Sequence, residues 1–256
     1  MPHTLPRQPP AGYTLGPCIG GRPGVTLVFA ARNPDDKPCA LKTLHEGVSA
    51  ESVSAARFER EMSAHVACAD IPGVVPARAP AGECKWLATD WAHGGDLASA
   101  CEHSESVRLR IAKNATHHIS TLLRALDSMH ARDIAHRDIK PSNLLVDGDS
   151  LWLTDFGIAG RCESVDTNPE WLALPPPWRE TLVGTAPWAA PELSHEPPLV
   201  TPASDIYSTA MLWQWLLAAL PSPNEPDANQ AALISWMTII DAGARPRARD
   251  VLATLA

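Results

Sequence analysis

The chain has 256 residues and a mass of 27.5 kDa, a length within the range of one two-lobed domain. With 45% hydrophobic and 20% charged residues, its composition is typical of a globular protein and excludes a disordered one. The formal net charge of −8 argues against a general nucleic-acid binder, because such affinity depends largely on lysine and arginine neutralising phosphates.

The N-terminus and the cysteines bear on where the protein works. Residues 1–12 are rich in proline and lack the apolar core of a signal peptide, so they predict a flexible lead. The longest apolar run, residues 210–220, is too short to span a bilayer, and we expect no membrane anchor. The six cysteines form no C-x-x-C pair and no zinc-like cluster, which indicates reduced thiols and a cytoplasmic location.

Strand-like segments come first along the chain. Three of them span residues 13–19, 25–31 and 38–44, and a helix is predicted from about residue 52 to 67. The apolar run WLATDWA then meets the glycine pair of HGGDL, and at residues 90–95 we predict a hinge between two lobes. The first lobe is therefore predicted to mix strands with one helix.

Helical patterns dominate the second half. Residues 107–131 carry apolar side chains at helical spacing, which predicts an amphipathic helix. Residues 162–188 are rich in proline and acidic side chains and show no sustained periodicity. We predict a long irregular loop there, a feature that is often functional inside a compact domain.

The most specific pattern is the run IAHRDIKPSNLLV at residues 134–146, followed after the apolar LWLT by Asp155-Phe156-Gly157. Upstream lie CALK at residues 39–42 and Glu61 in RFEREM; downstream, TLVGTAPW at residues 181–188 leads to APE. In this order the motifs resemble the catalytic core of the eukaryotic-like (Hanks-type) serine/threonine protein kinases of bacteria.

The resemblance implies an α+β, two-lobed protein-kinase-like fold, with a small β-rich N-lobe carrying one main helix and a larger helical C-lobe. The kinase domain would cover residues 13–256, with the N-lobe at about 13–89, the hinge at about 90–95 and the C-lobe at about 96–256, shortened after residue 220. ATP and Mg²⁺, with Mn²⁺ as a substitute, are the implied cofactors, and the implied partner is a protein substrate with serine or threonine hydroxyls.

Four residues of these motifs are implied to act in catalysis. Asp138 would accept the proton of the substrate hydroxyl and orient its oxygen, and Lys140 would neutralise the transferring group. Asn143 and Asp155 offer hard oxygen ligands, suited to Mg²⁺ that already carries nucleotide phosphates. They are the predicted metal ligands.

The resemblance also assigns residues to the nucleotide. Lys42 would contact the α and β phosphates, and Glu61 would pair with that lysine and hold it extended. The backbone from Asp90 to Ala92 would meet the adenine, and Asp96 is placed for the ribose. The apolar side chains implied to enclose the base are Leu27, Ala40 and Leu145.

The glycine-rich loop is where the sequence departs from the family. The segment IGGRPGVTL at residues 19–27 keeps Gly20 at the first glycine position, but Arg22 and Val25 occupy the second and third. Backbone amides would then approach phosphates less closely than glycine permits. Gly24 could serve in a shifted turn and Arg22 could contact phosphate itself; a plain β-turn without a ligand is the open alternative.

Three residues are implied in regulation and substrate choice. Thr185 matches the threonine that contacts the catalytic aspartate in serine/threonine kinases. Arg137 resembles the arginine that binds a phosphate on the activation loop, and Thr181 stands at a common phosphorylation position. An unmodified Thr181 is the open alternative. A cognate phosphatase or a phosphopeptide-binding protein would be a further partner, and Asp205 and the Glu192 to Arg245 pair would support the scaffold.

We predict an active serine/threonine protein kinase that phosphorylates its own activation loop. Two alternatives stay open. A pseudokinase scaffold would bind nucleotide without turnover, and the altered glycine-rich loop and the shortened C-lobe favour it. A kinase acting on a small molecule is disfavoured by the complete run from Gly184-Thr185 to Ala190-Pro191-Glu192.

Overall fold

The computed structural model describes residues 8–80, 85–161, 185–194, 201–220 and 226–255. The chain divides into two compact units, the first formed by residues 1–70 and 75–92 and the second by residues 71–74 and 93–256. The first is built on an antiparallel sheet and the second mainly on helices, so the predicted α+β class is confirmed. The break between units at residues 92 and 93 falls inside the range predicted as the hinge.

Five strands and one helix make the first unit. The strands are β1 (Thr14–Gly20), β2 (Thr26–Arg32), β3 (Pro38–Leu44), β4 (Ala77–Arg78) and β5 (Trp86–Asp90), arranged in the order β1-β2-β3-β5-β4. The helix, α1 (Val53–Cys68), begins after Ser52, whose side chain accepts a hydrogen bond from the amide of Ala55. Such a cap satisfies one of the amides that a helix start leaves without a partner.

The two faces of this sheet have different roles. Because side chains alternate along a strand, the register decides which residues share a face. Leu41 lies opposite Phe29 and Ala88, and these residues form one buried cluster with Ala31, Cys39 and Trp86. Lys42, one residue further along β3, lies opposite Val28 and Leu87 on the other face.

The second unit contains six of the described helices. They are α2 (Leu97–His103), α3 (Glu105–Lys113), α4 (Ala115–His130), α5 (Pro202–Ala218), α6 (Ala228–Met237) and α7 (Ala248–Leu255). Two small sheets join them, one pairing β6 (Ile134–Ala135) with β9 (Gly160–Arg161) and one pairing β7 (Leu144–Asp147) with β8 (Ser150–Leu153).

The helix predicted over residues 107–131 is divided in the structure. Asn114 separates α3 from α4, with φ −104° and ψ 20°. Its side-chain amide donates to the carbonyl of Arg110, at 3.0 Å. Short polar side chains of this kind compete with helical backbone bonding, which is the physical reason for the break.

The core of the second unit centres on α4 and α5. α4 packs against α5 and α7, and α5 is buried on nearly all sides, in agreement with its apolar sequence. The buried side chains of α4 include Ile119, Leu122, Leu123, Leu126 and Met129. Among the described residues, no helix is long and apolar enough to cross a membrane.

His118 of α4 makes stability depend on pH. It is 6% exposed, and its pKa is lowered to about 4, first by burial and then by the charge of His117; Asp149 raises the pKa and Arg110 lowers it by smaller amounts. The unfolded chain therefore takes up this proton near pH 6.5, well before the folded chain does. Stability is full above that pH and is lost as the pH falls toward 4.

Between pH 7 and pH 5 we expect His118 to lower the free energy of unfolding by about 2 kcal/mol. Urea denaturation of wild type and His118→Gln at the two pH values measures this. The variant should lose much of the pH dependence even if its stability at pH 7 falls. His103→Gln, at an exposed position on α2, is the matched control and should keep the wild-type difference. An unchanged difference in His118→Gln would show that other groups cause it.

Candidate active site

Lys42 and Glu61 meet in the first unit. β3 carries the lysine and α1 the glutamate, and Lys42 Nζ lies 2.5 Å from Glu61 Oε1. Glu61 is 5% exposed, and a buried carboxylate is costly unless a positive group pairs with it. The structure thus brings together the two residues that the sequence placed nineteen positions apart.

The residues expected around the base do not all share a face. Ala40 lies on the same face of β3 as Lys42, but Leu27 lies on the opposite face and packs against the cluster that contains Phe29. Leu27, which was expected to enclose the base together with Ala40, therefore lies on the other face of the sheet. Val28, directly opposite Lys42, lies on the face of Ala40 and Lys42, because a shift of one residue along a strand moves a side chain to the other face.

In the glycine-rich loop, the residue next to the predicted first glycine is the one that requires glycine. Gly20, the predicted first glycine, is the last residue of β1, pairs with Val28, and has open space where a side chain would be. Gly21 is the position that requires glycine: its φ is +119°, and a Cβ there would lie 2.3 Å from the carbonyl oxygen of Thr26. Gly21 rather than Gly20 is therefore the residue of this loop whose backbone requires glycine.

Asp90 and Ala92 lie at the end of the first unit. The amide of Asp90 donates to the carbonyl of Pro76 at 3.0 Å, and its carboxylate lies 2.5 Å from Nη2 of Arg78. Both of these groups are occupied by protein partners. The main-chain carbonyl of Asp90 is consequently the hydrogen-bonding group that this residue has left for an adenine base.

Asp96 and Leu145 lie next to each other in the second unit. They form an isolated β-bridge, flanked by 2.8 Å hydrogen bonds from the amide of Gly94 to the carbonyl of Val146 and from the amide of Val146 to the carbonyl of Gly95. One carboxylate oxygen of Asp96 caps α2 by accepting from the amide of Ser99. The two predicted nucleotide residues of this unit are thus brought together by backbone pairing.

Asp138 is the centre of a polar cluster with three other predicted residues. Its Oδ2 accepts hydrogen bonds from Nζ of Lys140 at 2.7 Å and from Nδ2 of Asn143 at 2.9 Å, and its Oδ1 accepts one from Oγ1 of Thr185 at 3.0 Å. Lys140 Nζ also donates to Thr185 Oγ1 at 2.7 Å. Both carboxylate oxygens are therefore held in position.

Asp205 of α5 fixes the loop that carries Asp138. Its carboxylate is fully buried and accepts hydrogen bonds from the amides of His136 and Arg137, at 2.9 and 2.6 Å, and from Nε2 of His130 at 2.9 Å. Burial raises the pKa of Asp205, but the hydrogen bond and charge of His130, with smaller contributions from His136 and the Arg137 amide, outweigh it. The pKa is lowered overall, so this carboxylate stays ionised and keeps its acceptor role.

Asn143 and Asp155 lie at the same end of the β7 to β8 hairpin. Leu144 pairs with Leu153, and the amide of Thr154 donates to the carbonyl of Asn143 at 3.0 Å. Because Nδ2 of Asn143 donates to the carbonyl of Asp138 as well as to its carboxylate, the side-chain amide oxygen is the atom of Asn143 that these bonds leave for a cation. A carboxylate and an amide oxygen fit a hard cation such as Mg²⁺.

Of the two residues of the predicted activation-loop switch, the structure describes Arg137. Arg137 is 2% exposed, has φ +66°, and donates from Nε to the carbonyl of Ile158 at 2.7 Å. Thr181 lies outside the described residues. The structure therefore describes the arginine of the expected switch but not the threonine.

Comparison with known proteins gives a consistent result. A family model described as the protein kinase domain matches residues 19–252. AfsK of Streptomyces griseus is 30% identical over 190 residues, which cover 73% of this chain and 22% of the relative. PknF of Mycobacterium tuberculosis is 33% identical over 236 residues, covering 88% and 46%, and PknJ of the same species is 34% identical over 158 residues, covering 58% and 26%. All three are named serine/threonine-protein kinases, and the chain matches less than half the length of each.

Proposed function

Because this chain belongs to the protein kinase family, in its bacterial eukaryotic-like branch, we propose that it transfers the γ-phosphate of ATP to serine and threonine hydroxyls of protein substrates. The observation that carries the proposal is the cluster in which Lys140, Asn143 and Thr185 all bond the carboxylate of Asp138. Phosphoryl transfer depends mainly on positioning and on stabilising charge, and this cluster has the groups for both.

In the proposed reaction, Asp138 accepts the proton of the substrate hydroxyl while that oxygen bonds to the γ-phosphorus. The bond from the γ-phosphorus to the bridging oxygen breaks, and ADP leaves with that oxygen. Thr185 and Asn143 hold the carboxylate on its two sides, so little reorganisation is needed during transfer. Lys140 lies beside it as a positive group for the charge on the transferring phosphoryl.

Each unit by itself offers residues for the nucleotide. Lys42, held by Glu61, would contact the α and β phosphates, and the main chain from Asp90 to Ala92 would contact the adenine. Asn143 and Asp155 would hold Mg²⁺ or Mn²⁺, which neutralises charge on the nucleotide phosphates when bound. We propose that Val28 and Ala40 of the first unit and Leu145 of the second contact the base, and that Asp96 contacts the ribose.

Thr185 supports a preference for serine and threonine, since its hydroxyl contacts both the proposed base and Lys140. We further propose that Thr181 is an autophosphorylation site whose phosphate pairs with Arg137. A phosphatase and a phosphopeptide-binding protein would be the partners that read or reverse this modification.

Intact-mass spectrometry tests the proposal. Phosphatase-treated protein is incubated with Mg²⁺ and ATP, with and without a generic protein substrate, beside Asp155→Ala and the exposed-site control Asp149→Asn. We expect wild type and Asp149→Asn to gain the mass of one or more phosphates, and Asp155→Ala to gain none. Wild type that binds ATP but leaves itself and the substrate unmodified would identify a pseudokinase and contradict the proposal.

A further inference from the structure

The tip of the β1 to β2 hairpin uses its own backbone amides to close the turn. The amides of Val25 and Thr26 both donate to the carbonyl of Arg22, at 2.9 Å each. The amide of Arg22 donates to Oγ1 of Thr26 at 3.0 Å, and Pro23 has no amide hydrogen to donate. Four of the six residues from 21 to 26 therefore cannot offer an N–H to a ligand in this conformation.

A glycine-rich loop contacts nucleotide phosphates mainly through main-chain amides that converge on the anion. Such a nest needs successive N–H groups directed at the ligand. In this hairpin the amides at 22, 25 and 26 are directed into the turn instead. Another positive group is then needed at the tip if it is to contact phosphate.

Arg22 is the cationic side chain at that tip. It is exposed, and among the described residues no carboxylate lies within ion-pair distance of it, whereas Arg32 at the other end of β2 pairs with Asp36. A guanidinium presents N–H donors in a planar fork that matches phosphate oxygens. An arginine can therefore replace several amide contacts with one side chain.

The register places Arg22 near the strand position of Lys42. Gly20 lies opposite Val28, and Val28 lies opposite Lys42, so Arg22 is two residues beyond the strand position that is aligned with the lysine. Two residues of strand correspond to roughly 7 Å, a distance comparable to the length of an arginine side chain. The tip and Lys42 belong to the same compact unit.

We propose that the guanidinium of Arg22 contacts the nucleotide phosphates in place of the loop amides, so that this unit holds the phosphates with two side chains, Arg22 and Lys42. The inference rests on the proposed kinase function and adds a residue to its nucleotide site. It also gives a reason why a loop that has lost two of its three glycine positions can still serve an ATP-binding protein.

Calorimetric titration of the whole chain with ATP, ADP and adenosine, each with Mg²⁺, tests this inference. Removing a charge-assisted contact from an exposed site should raise the Kd for ATP and ADP about tenfold in Arg22→Gln. Adenosine has no phosphate, so its Kd should stay within about twofold of wild type. Arg22→Lys should recover part of the affinity for ATP, and Arg32→Gln is the control in the same hairpin.

Each outcome has a distinct meaning. If Arg22→Gln binds ATP, ADP and adenosine as wild type does, Arg22 does not contact phosphate and the inference is wrong while the proposed function stands. If adenosine binding weakens as much as ATP binding, Arg22 acts on the fold of the hairpin, which also overturns it. If wild type binds none of the three, the proposed kinase function fails, and the inference fails with it.

Discussion

Replacing Asp138 by asparagine is expected to lower the kcat of phosphoryl transfer by a factor of about 10² to 10⁴, the range that a positioned general base contributes. An amide cannot take up the proton of the substrate hydroxyl. It also has only one oxygen, so it must present its NH₂ group either to the donors Lys140 and Asn143 or to the hydroxyl of Thr185. ATP affinity should stay within about twofold of wild type, because Asp138 is not proposed to contact the nucleotide.

The measurement is the rate of phosphate transfer to a generic protein substrate, paired with a titration by ATP. Asp149→Asn is the matched control, since Asp149 is exposed and forms a 3.4 Å ion pair with Arg110 away from the cluster. It should keep the wild-type rate. Transfer by Asp138→Asn at the wild-type rate, with Asp149→Asn equally active, would remove Asp138 from the mechanism.

Arg245 to methionine is expected to cost about 3 to 5 kcal/mol of unfolding free energy, the range for breaking a buried ion pair on one side. Its guanidinium makes two hydrogen bonds to the carboxylate of Glu192, at 2.7 and 2.8 Å, and its side chain in this pair is fully buried. The remaining N–H groups donate to the main-chain carbonyls of Ala203, Ile239 and Ile240. Removing the arginine therefore leaves a buried carboxylate and three carbonyls without these donors.

Urea denaturation of Arg245→Met, Glu192→Leu and the double variant measures the coupling. The double variant removes both charges, so it should lose less stability than the two single variants lose together, by more than about 1 kcal/mol. Lys85→Met, which breaks an exposed ion pair with Glu59, should cost less than about 1 kcal/mol. Additive losses in the double variant would show that the pair is not energetically coupled.

The residues nearest to the proposed chemistry were predictable because they lie in one short motif. Asp138, Lys140 and Asn143 fall within six consecutive positions, and a segment that short brings its polar side chains together through local turns. Thr185 was identified only by resemblance, since its contact with Asp138 spans 47 positions. Sequence reasoning identified Asp205 as a scaffold residue, but it missed His130, its side-chain partner, because a lone histidine at a helix end carries no distinctive pattern.

Two predictions in the first unit differ from the structure by one residue along the chain, and the two differences have a common cause. Leu27 and Val28 are both apolar, and Gly20 and Gly21 are identical, so composition cannot distinguish them. The structure does, because Gly21 has the positive φ and the pairing of β2 with β3 places Val28 opposite Lys42. Arg78, which holds the carboxylate of Asp90, was missed for the same reason: the pairing of β4 with β5 brings the two together.

By itself, the sequence determined the family, the α+β class, three of the strands and the main helix of the first unit, and the motif that carries Asp138. These depend on local patterns, namely side-chain periodicity and short runs of polar residues. Only the tertiary structure decided which face of a strand a residue occupies, where the glycine-rich turn has its positive φ, and which amides donate hydrogen bonds within that turn. Those properties depend on strand register and on hydrogen bonds across the hairpin, and a one-residue shift that scarcely alters the sequence pattern reverses the face of every side chain on the strand.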